Sequence, residues 1–294
     1  MNLSYVLITA AWNEEEFIEK TIQSLISQSV LPMKWVIVSD GSTDRTDEIV
    51  KSYAKGRDWI EFLQMPERKE RHFAGKAHAF NTGCEIVKNL SYDIIGNLDA
   101  DISFGKDFLE YLLDRFEETP KLGVGGTHYI EGGFHSYKDS FINVHHVNGQ
   151  CQMFRRKCLE EIGGYTPIKG GGIDWVAVTT ARMKGWETYS FGDRVFIHHR
   201  SMGTANSNTL RSRFHYGRKD YFLGGHPLWQ VCRAAFQMTQ KPYLIGGICL
   251  LSGYFWSAIT RAERPISLEL MKFHRSEQIE RLKSLVQRGL RIDR

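Results

Sequence analysis

Cysteine is scarce in this chain and poorly spaced for chemistry. The five residues, Cys84, Cys151, Cys158, Cys232 and Cys249, are odd in number and scattered, with no Cys-x-x-Cys pair. That spacing speaks against a disulfide framework or a zinc site and for a reducing compartment. A core drawn from 294 residues needs no such staples. No secretory leader is expected either: Leu3–Ala11 is apolar but short, lacks a basic leader, and runs straight into Asn13-Glu14-Glu15-Glu16. Charge of one sign is absent as well. With 38 Lys and Arg against 34 Asp and Glu, the net +4 is too small to argue for a nucleic-acid partner. No Gly-x-Gly-x-x-Gly follows the first apolar segment, which disfavours a dinucleotide-binding dehydrogenase. Internal repeats and low-complexity linkers are missing too. The expectation is a cytoplasmic protein of ordinary globular composition, 42% hydrophobic and 24% charged.

What is present begins with an alternation of periods. Tyr5–Thr9 and Trp35–Ser39 are apolar and β-branched runs, hence buried strands. Between them Phe17, Ile18, Thr21, Ile22, Leu25 and Ile26 recur at helical spacing, predicting a helix over 14–28. Ile49, Val50, Tyr53 and Ala54 mark a second helix, with Ser42 or Thr43 as its expected cap. A short strand at Ile60–Leu63, a basic loop (Arg68, Lys69, Arg71), a helix from about Lys76 to Lys88 and a strand at Tyr92–Leu98 follow. This β-α-β-α-β-α-β series implies a mostly parallel sheet flanked by helices, with right-handed crossovers. Further on, a helix at Asp107–Glu118, strands at Cys151–Phe154, Thr188–Phe191 and Val195–His198, and a helix opened by Asp174 are expected.

The chemistry concentrates at Gly96-Asn97-Leu98-Asp99-Ala100-Asp101. Asp99 and Asp101 emerge at the carboxyl end of a strand, where open α/β sheets bind ligands. Side chains at i and i+2 share a face of an extended strand, so both carboxylates can address one hard cation or one phosphorylated ligand. Alone the motif is weak: fourteen Asp in the chain produce an Asp-x-Asp by chance in roughly one sequence of two. His198-His199, after a strand, offers a third metal ligand or a diphosphate contact.

Its weight comes from the motifs around it. Trp12-Asn13-Glu14 follows the first strand and Ser39-Asp40-Gly41-Ser42-Thr43-Asp44 the second; Gly75-Lys76-Ala77-x-Ala79-Phe80-Asn81-x-Gly83 precedes Asp99-Ala100-Asp101. Arg155-Arg156, Gly163-Gly164-Tyr165 and Ile173-Asp174-Trp175 complete the set. In this order and spacing, residues 3–200 resemble a family 2 glycosyltransferase, the inverting nucleotide-sugar enzymes of GT-A fold. The resemblance implies that Trp12, Asn13 and Glu14 shape the nucleotide pocket, that Asp40 bonds the nucleobase or ribose, and that Lys76 and Asn81 lie near the nucleotide. It further implies that Asp99 and Asp101 hold the sugar nucleotide and a divalent metal, Mg²⁺ or Mn²⁺, and that Asp174 is the general base. Ser39 stands where many members have a second Asp, and Ile173 where many have Glu, leaving Asp174 the sole candidate base in its motif.

Elementary chemistry fits those roles. Cleaving a sugar–diphosphate bond builds negative charge that an oxygen-bound divalent cation neutralises, and the attacking hydroxyl must give up its proton to a carboxylate within reach. A helix N-terminus favours the ionised form of Asp174, although an acid there also serves as a plain N-cap. Two alternatives remain. A sugar-1-phosphate nucleotidyltransferase would share the sheet, but it carries a glycine-rich phosphate loop where this chain has Trp12-Asn13-Glu14. A non-catalytic nucleotide-sugar-binding protein would not need the full set of carboxylates.

The chain changes character near residue 205, which divides it into a GT-A domain over 1–204 and a basic, aromatic helical extension over 205–294. Residues 205–241 hold six Lys and Arg against one acid, Asp220, and Tyr243–Thr260 is eighteen residues without charge. That length is the lower edge of a membrane span, weakened by Gly246, Gly247, Ser252, Gly253 and Ser257. A segment lying in the interface, with Trp229, Tyr243, Tyr254 and Trp256 at headgroup depth, suits the basic flanks better; a buried core helix is the alternative. The combined expectation is a metal-dependent enzyme, peripheral at the cytosolic face of a membrane. It would move a sugar from a nucleotide donor to a glycan or lipid-linked acceptor in polysaccharide assembly.

Overall fold

A computed structural model describes residues 3–66, 73–136, 143–200 and 209–292. The basic run Arg68, Lys69 and Arg71 lies outside the described residues. Two compact units are present, Met1–Ser201 and Met202–Arg294.

In the first unit the chain runs β1 (Tyr5–Ala11), α1 (Ile18–Ile26), β2 (Lys34–Ser39), α2 (Thr46–Ala54), β3 (Ile60–Gln64), α3 (Phe73–Val87) and β4 (Ile94–Leu98). Then follow β5 (Ile102–Ser103), α4 (Phe108–Glu118), β6 (Leu122–Glu131), β7 (Phe134–His135), β8 (Cys151–Arg155), α5 (Arg156–Ile162), α6 (Ile173–Met183) and β9 (Glu187–His198). The strands form one sheet in the order β3-β2-β1-β4-β8-β6-β9-β5, with β7 paired to β6. Its centre is apolar on both faces: Val6, Leu7, Ile8, Trp35, Val36, Ile37, Ile94 and Ile95 are fully buried, as strands covered by helices on each side must be.

The expectation of a mostly parallel sheet holds only for the first half. β3, β2, β1 and β4 pair in parallel, but β8 is antiparallel to both β4 and β6, and β5 is antiparallel to β9, so the sheet is mixed. The crossover logic that predicts parallel pairing ends with β4, because no helix among the described residues follows β6 before β8. Two strands expected at Thr188–Phe191 and Val195–His198 are one, β9. It runs parallel to β6 with a register shift between Thr127 and His128 that absorbs Gly192, Asp193 and Arg194.

Two helix starts also move. Asn13 takes a left-handed backbone, φ 54°, so helical geometry cannot run from 14. Instead Phe17 and Ile18 both donate to the Glu14 carbonyl in a turn before α1. Ser42 and Thr43 do not cap α2, since both are bonded to Asn13; the Asp44 side chain accepts from the Thr46 amide at 3.0 Å.

Among its described residues the second unit has four helices: α7 (Thr209–Phe222), α8 (Pro227–Met238), α9 (Ile245–Ile259) and α10 (Leu268–Ile292). α7 and α9 touch backbone to backbone. A Cβ on Gly217 would sit 1.9 Å from the Leu250 carbonyl oxygen, and one on Gly253 would sit 2.0 Å from that of Phe214. The Tyr254 hydroxyl donates to the Gly225 carbonyl at 2.7 Å, and the Arg281 guanidinium lies over Trp229. Trp229 and Tyr254 are therefore buried, not at an interface as expected, while Tyr243 and Trp256 remain exposed. Among the described residues no helix is long and apolar enough to cross a membrane.

Gly96 is the tightest point of the central sheet. A Cβ there would meet Met153 Sδ at 2.4 Å and Leu7 Cδ2 at 2.5 Å, which is overpacking in the middle of β4. Gly96→Ala is expected to lower unfolding stability by about 1–3 kcal/mol, read as a lower urea midpoint at unchanged slope.

Candidate active site at the carboxyl edge of the sheet

The mixed pairing gathers loops at one edge. β1, β2 and β4 deliver Trp12, Asp40 and Asp99 there because they are parallel. β8 begins at the same edge because it is antiparallel to β4, with Leu98 opposite Cys151. β6 and β9 end there too, bringing Glu131 and His198.

Asp99-Ala100-Asp101 forms a turn between β4 and β5, not an extended strand as expected. Both carboxylates still converge, for a different reason. The Thr21 hydroxyl from α1 lies 2.8 Å from the Ala100 carbonyl and 2.7 Å from that of Ile102, and accepts from the Ile102 amide at 3.2 Å. The Asp99 amide donates to the Gln150 carbonyl, and the His199 amide donates to that of Asp101. Five backbone groups in and beside the turn are thereby held by three separate segments of chain.

A charge network surrounds it. Lys76 from α3 bonds the Asp99 carboxylate. His198 Nε2 is 3.4 Å from the Asp101 carboxylate, while its Nδ1 is 2.6 Å from Glu131. The Arg200 guanidinium spans Glu14 and Asp101. Burial pushes the Asp99 carboxyl up, and Lys76 offsets this only in part. Burial acts the same way on Asp101, but His198, Arg200 and Lys76 together hold it below the ordinary value. For His198 burial alone would lower the imidazole; bonds and charge from Asp101 and Glu131 outweigh it and raise the group to about 9.

Asp174 stands in the first turn of α6, whose N-cap is Gly172, so it is not itself the cap. Its side chain lies against Gly149, where an added Cβ would meet Asp174 Cβ at 2.8 Å. His146 Nε2 is 3.8 Å from the Asp174 carboxylate. The Gly149 carbonyl in turn accepts from Lys76 at 2.8 Å and from the Asn97 side chain at 2.7 Å. One bare residue thus touches the candidate base on its Cα side and the lysine bound to Asp99 through its carbonyl.

Among the residues expected to meet the nucleotide, the Asn13 side-chain oxygen accepts from the Thr43 amide at 2.8 Å, tying the first loop to the second. Asp40 is buried, with its amide on the Ala11 carbonyl. Glu14 is buried, with its amide on the Thr46 hydroxyl. Trp12 is half-buried. Asn81 sits one turn deeper in α3, where both ends of its amide grip the backbone of Tyr165.

Glu131, Arg200, His146 and Gly149 were not singled out from the sequence. Their partners lie far along the chain, 186 residues away for Arg200 and Glu14, and no local spacing signals such pairs.

The expected metal trio Asp99, Asp101 and His198 is not closed by the protein alone. Among the described residues no group of three His, Cys, Asp or Glu is gathered as an ion site, and one Asp99 oxygen is taken by Lys76. The donor chemistry nevertheless fits a divalent cation shared with substrate oxygens. Asp101 Oδ1 is buried without a hydrogen-bond partner. His198 presents Nε2 towards Asp101 while Glu131 orients its other nitrogen, the pattern that prepares a histidine ligand.

Residues 6–140 match the family model described as glycosyl transferase family 2. Over 117 residues the chain is 34% identical to a poly-beta-1,6-N-acetyl-D-glucosamine synthase of Staphylococcus aureus (strain COL), covering 40% of this chain and 26% of that protein. A synthase of the same description from Staphylococcus epidermidis is 33% identical over 122 residues, 42% of this chain and 27% of its own length. The chain thus spans about a quarter of the length of these curated relatives. The mannosyltransferase PcManGT from Pyrobaculum calidifontis, solved with GDP-Man and Mn²⁺, superposes with a TM-score of 0.59 at 18% identity, covering 99% of this chain and 81% of that one. S. aureus TarS 1–349 with UDP-GlcNAc gives a TM-score of 0.56 at 13% identity, over 92% and 78% of the two chains. The fold is GT-A-like, an α/β architecture with a mixed sheet between helices.

Because His198 is raised above its ordinary 6.5, it contributes stability that is fully present below pH 6.5 and lost as pH rises through about 9. Glu131→Gln removes one of the three carboxylates responsible. In metal-free protein the variant should show a lower imidazole titration midpoint by NMR and a smaller fall in melting temperature between pH 6.5 and 9. An unmoved midpoint would mean that Glu131 does not hold this proton.

Proposed function

We propose that this protein, whose residues 6–140 match the glycosyl transferase family 2 model, is an inverting glycosyltransferase. It moves a sugar from a nucleoside diphosphate donor to a hydroxyl of a glycan or lipid-linked acceptor, in polysaccharide assembly at the cytosolic face of a membrane. The observation that carries the reading is the meeting at Gly149 of Asp174 with Lys76, and through Lys76 with Asp99. A proton acceptor and a phosphate-side cluster are thereby held in one frame. The polysaccharide synthases among the relatives support the acceptor class, and the neighbours solved with GDP-Man and UDP-GlcNAc support the donor class.

In this mechanism Asp40, Asn13 and Trp12 form the walls for the nucleoside. Asp101 and His198, with Asp99, would hold a divalent metal, Mg²⁺ or Mn²⁺, which would supply neutralisation of charge on the leaving diphosphate. Lys76, a compact charge on a flexible stem, adds a positive charge beside Asp99. Asp174 accepts the acceptor's hydroxyl proton as its oxygen attacks the anomeric carbon. The new carbon–oxygen bond forms on the face opposite the diphosphate. The old bond breaks with its electron pair leaving on the nucleoside diphosphate, which inverts the centre. His146, beside Asp174, orients the carboxylate.

Asp174→Asn is expected to cut transfer by about 10²–10⁴-fold, the usual worth of a general base, while calorimetry with UDP, GDP and TDP shows unchanged nucleotide affinity. Asp101→Asn is expected to abolish the Mn²⁺-dependent part of that affinity, as chelation does in the parent protein. A fully active Asp174→Asn would remove this mechanism.

A further inference from the structure

α9 is built inside out for a water-soluble helix. Its buried face carries Gly246, Gly247, Gly253 and Ser257, with only Leu250 and Tyr254 as large residues. Its outer face carries Ile245, Ile248, Trp256 and Ile259, each more than half exposed. The small residues do structural work, since Gly253 admits the Phe214 carbonyl of α7 and Gly247 that of Ala234 in α8. Close helix contact through small residues, with large apolar ones turned outward, is how helices pack when their surroundings are hydrocarbon. The neighbouring α8 also exposes Leu228 and Val231, both about half exposed. An exposed apolar face on this scale marks an interaction site.

Charge indicates the occupant. Fifteen Lys and Arg against six Asp and Glu fall after Ser201, so the whole positive excess of the chain lies in the second unit. Between Pro227 and Thr260 only Arg233 and Lys241 are charged, and Arg233 is neutralised by Asp220. Exposed Lys241 and Arg261 stand at the two ends of α9. An apolar stripe framed by cations matches a bilayer with anionic headgroups better than another protein surface. At fifteen residues α9 is about 22 Å long, short of a hydrocarbon core of about 30 Å, so it lies along the surface instead of crossing.

We propose that the outer faces of α8 and α9, with Lys241 and Arg261, form a monotopic docking surface for an anionic lipid bilayer. The assignment concerns the second unit alone and does not depend on the catalytic reading. The full-length protein is mixed with phosphatidylcholine vesicles, with and without about 30% phosphatidylglycerol, and bound protein is recovered by flotation. It should float with the anionic vesicles. Ile248→Glu with Trp256→Glu should reduce that binding at least about tenfold, and the two exposed sites should leave the melting temperature unchanged. Lys241→Gln and Arg261→Gln should each reduce it about fivefold, roughly the worth of one cation at such a surface. Failure of the parent protein to float with either vesicle, or full binding by the Glu variant, overturns the proposal. So does a concentration-dependent dimer, seen by light scattering, that the Glu variant dissolves without any vesicle binding, because the face then belongs to a second copy.

Discussion

Placing a half-buried Asp99 beside a buried Asp101 is the constraint around which the first unit is organised. Two carboxylates in that position repel each other and lose hydration, and burial without partners would cost several kcal/mol per ion. The chain answers with cations from separate elements: Lys76 from α3, His198 from the end of β9 and Arg200 just beyond it. Each cation has a second anchor, respectively the Gly149 carbonyl, Glu131 and Glu14. The network therefore binds the first loop, the third helix and the last strand to the Asp99–Asp101 turn. Losing one member leaves another buried charge exposed to its neighbours. Such sites trade stability for readiness, since one buried Asp101 oxygen is left without a partner.

Backbone geometry supplies the rest of the positioning. Thr21 pins the turn from below, Gln150 from the side and His199 from the last strand. Asp174 is brought up by a different route, through a helix preceded by Gly171 and Gly172 at φ 84° and 90°. These conformations are open to glycine and strained for other residues. They let the chain turn sharply into α6 and set its first turn against Gly149.

Much of this could be read directly from the residues, and the limits have physical causes. Asp99, Asp101, Asp174, Lys76 and Asp40 announce themselves because their motifs are local and chemically unusual at the ends of apolar runs. Glu131 and Arg200 do not, because their meaning arises only when β9 returns to the edge where β4 ends. The direction of β8 was equally hidden, since it depends on a pairing between residues 53 apart, with Leu98 opposite Cys151. In the second unit the absence of charge over Tyr243–Thr260 was plain, but not which face of α9 turned inward. Its glycines read as weaknesses of a span, whereas they are the contact surface with α7 and α8.

The reversal at β8 has a consequence for how such a molecule can change over time. Because β8 runs against β4, the segment leading into it arrives at the same edge, where Gly149 and Gln150 bond Lys76, Asn97 and Asp99, while Val144 and His145 bond β9 and α6. β1 and β2 are not among these partners. A change at Val144 or His145 is therefore felt first by β9 and α6, and not by the parallel strands β1 and β2. A lineage built on this plan can alter one side of the edge while inheriting the other intact.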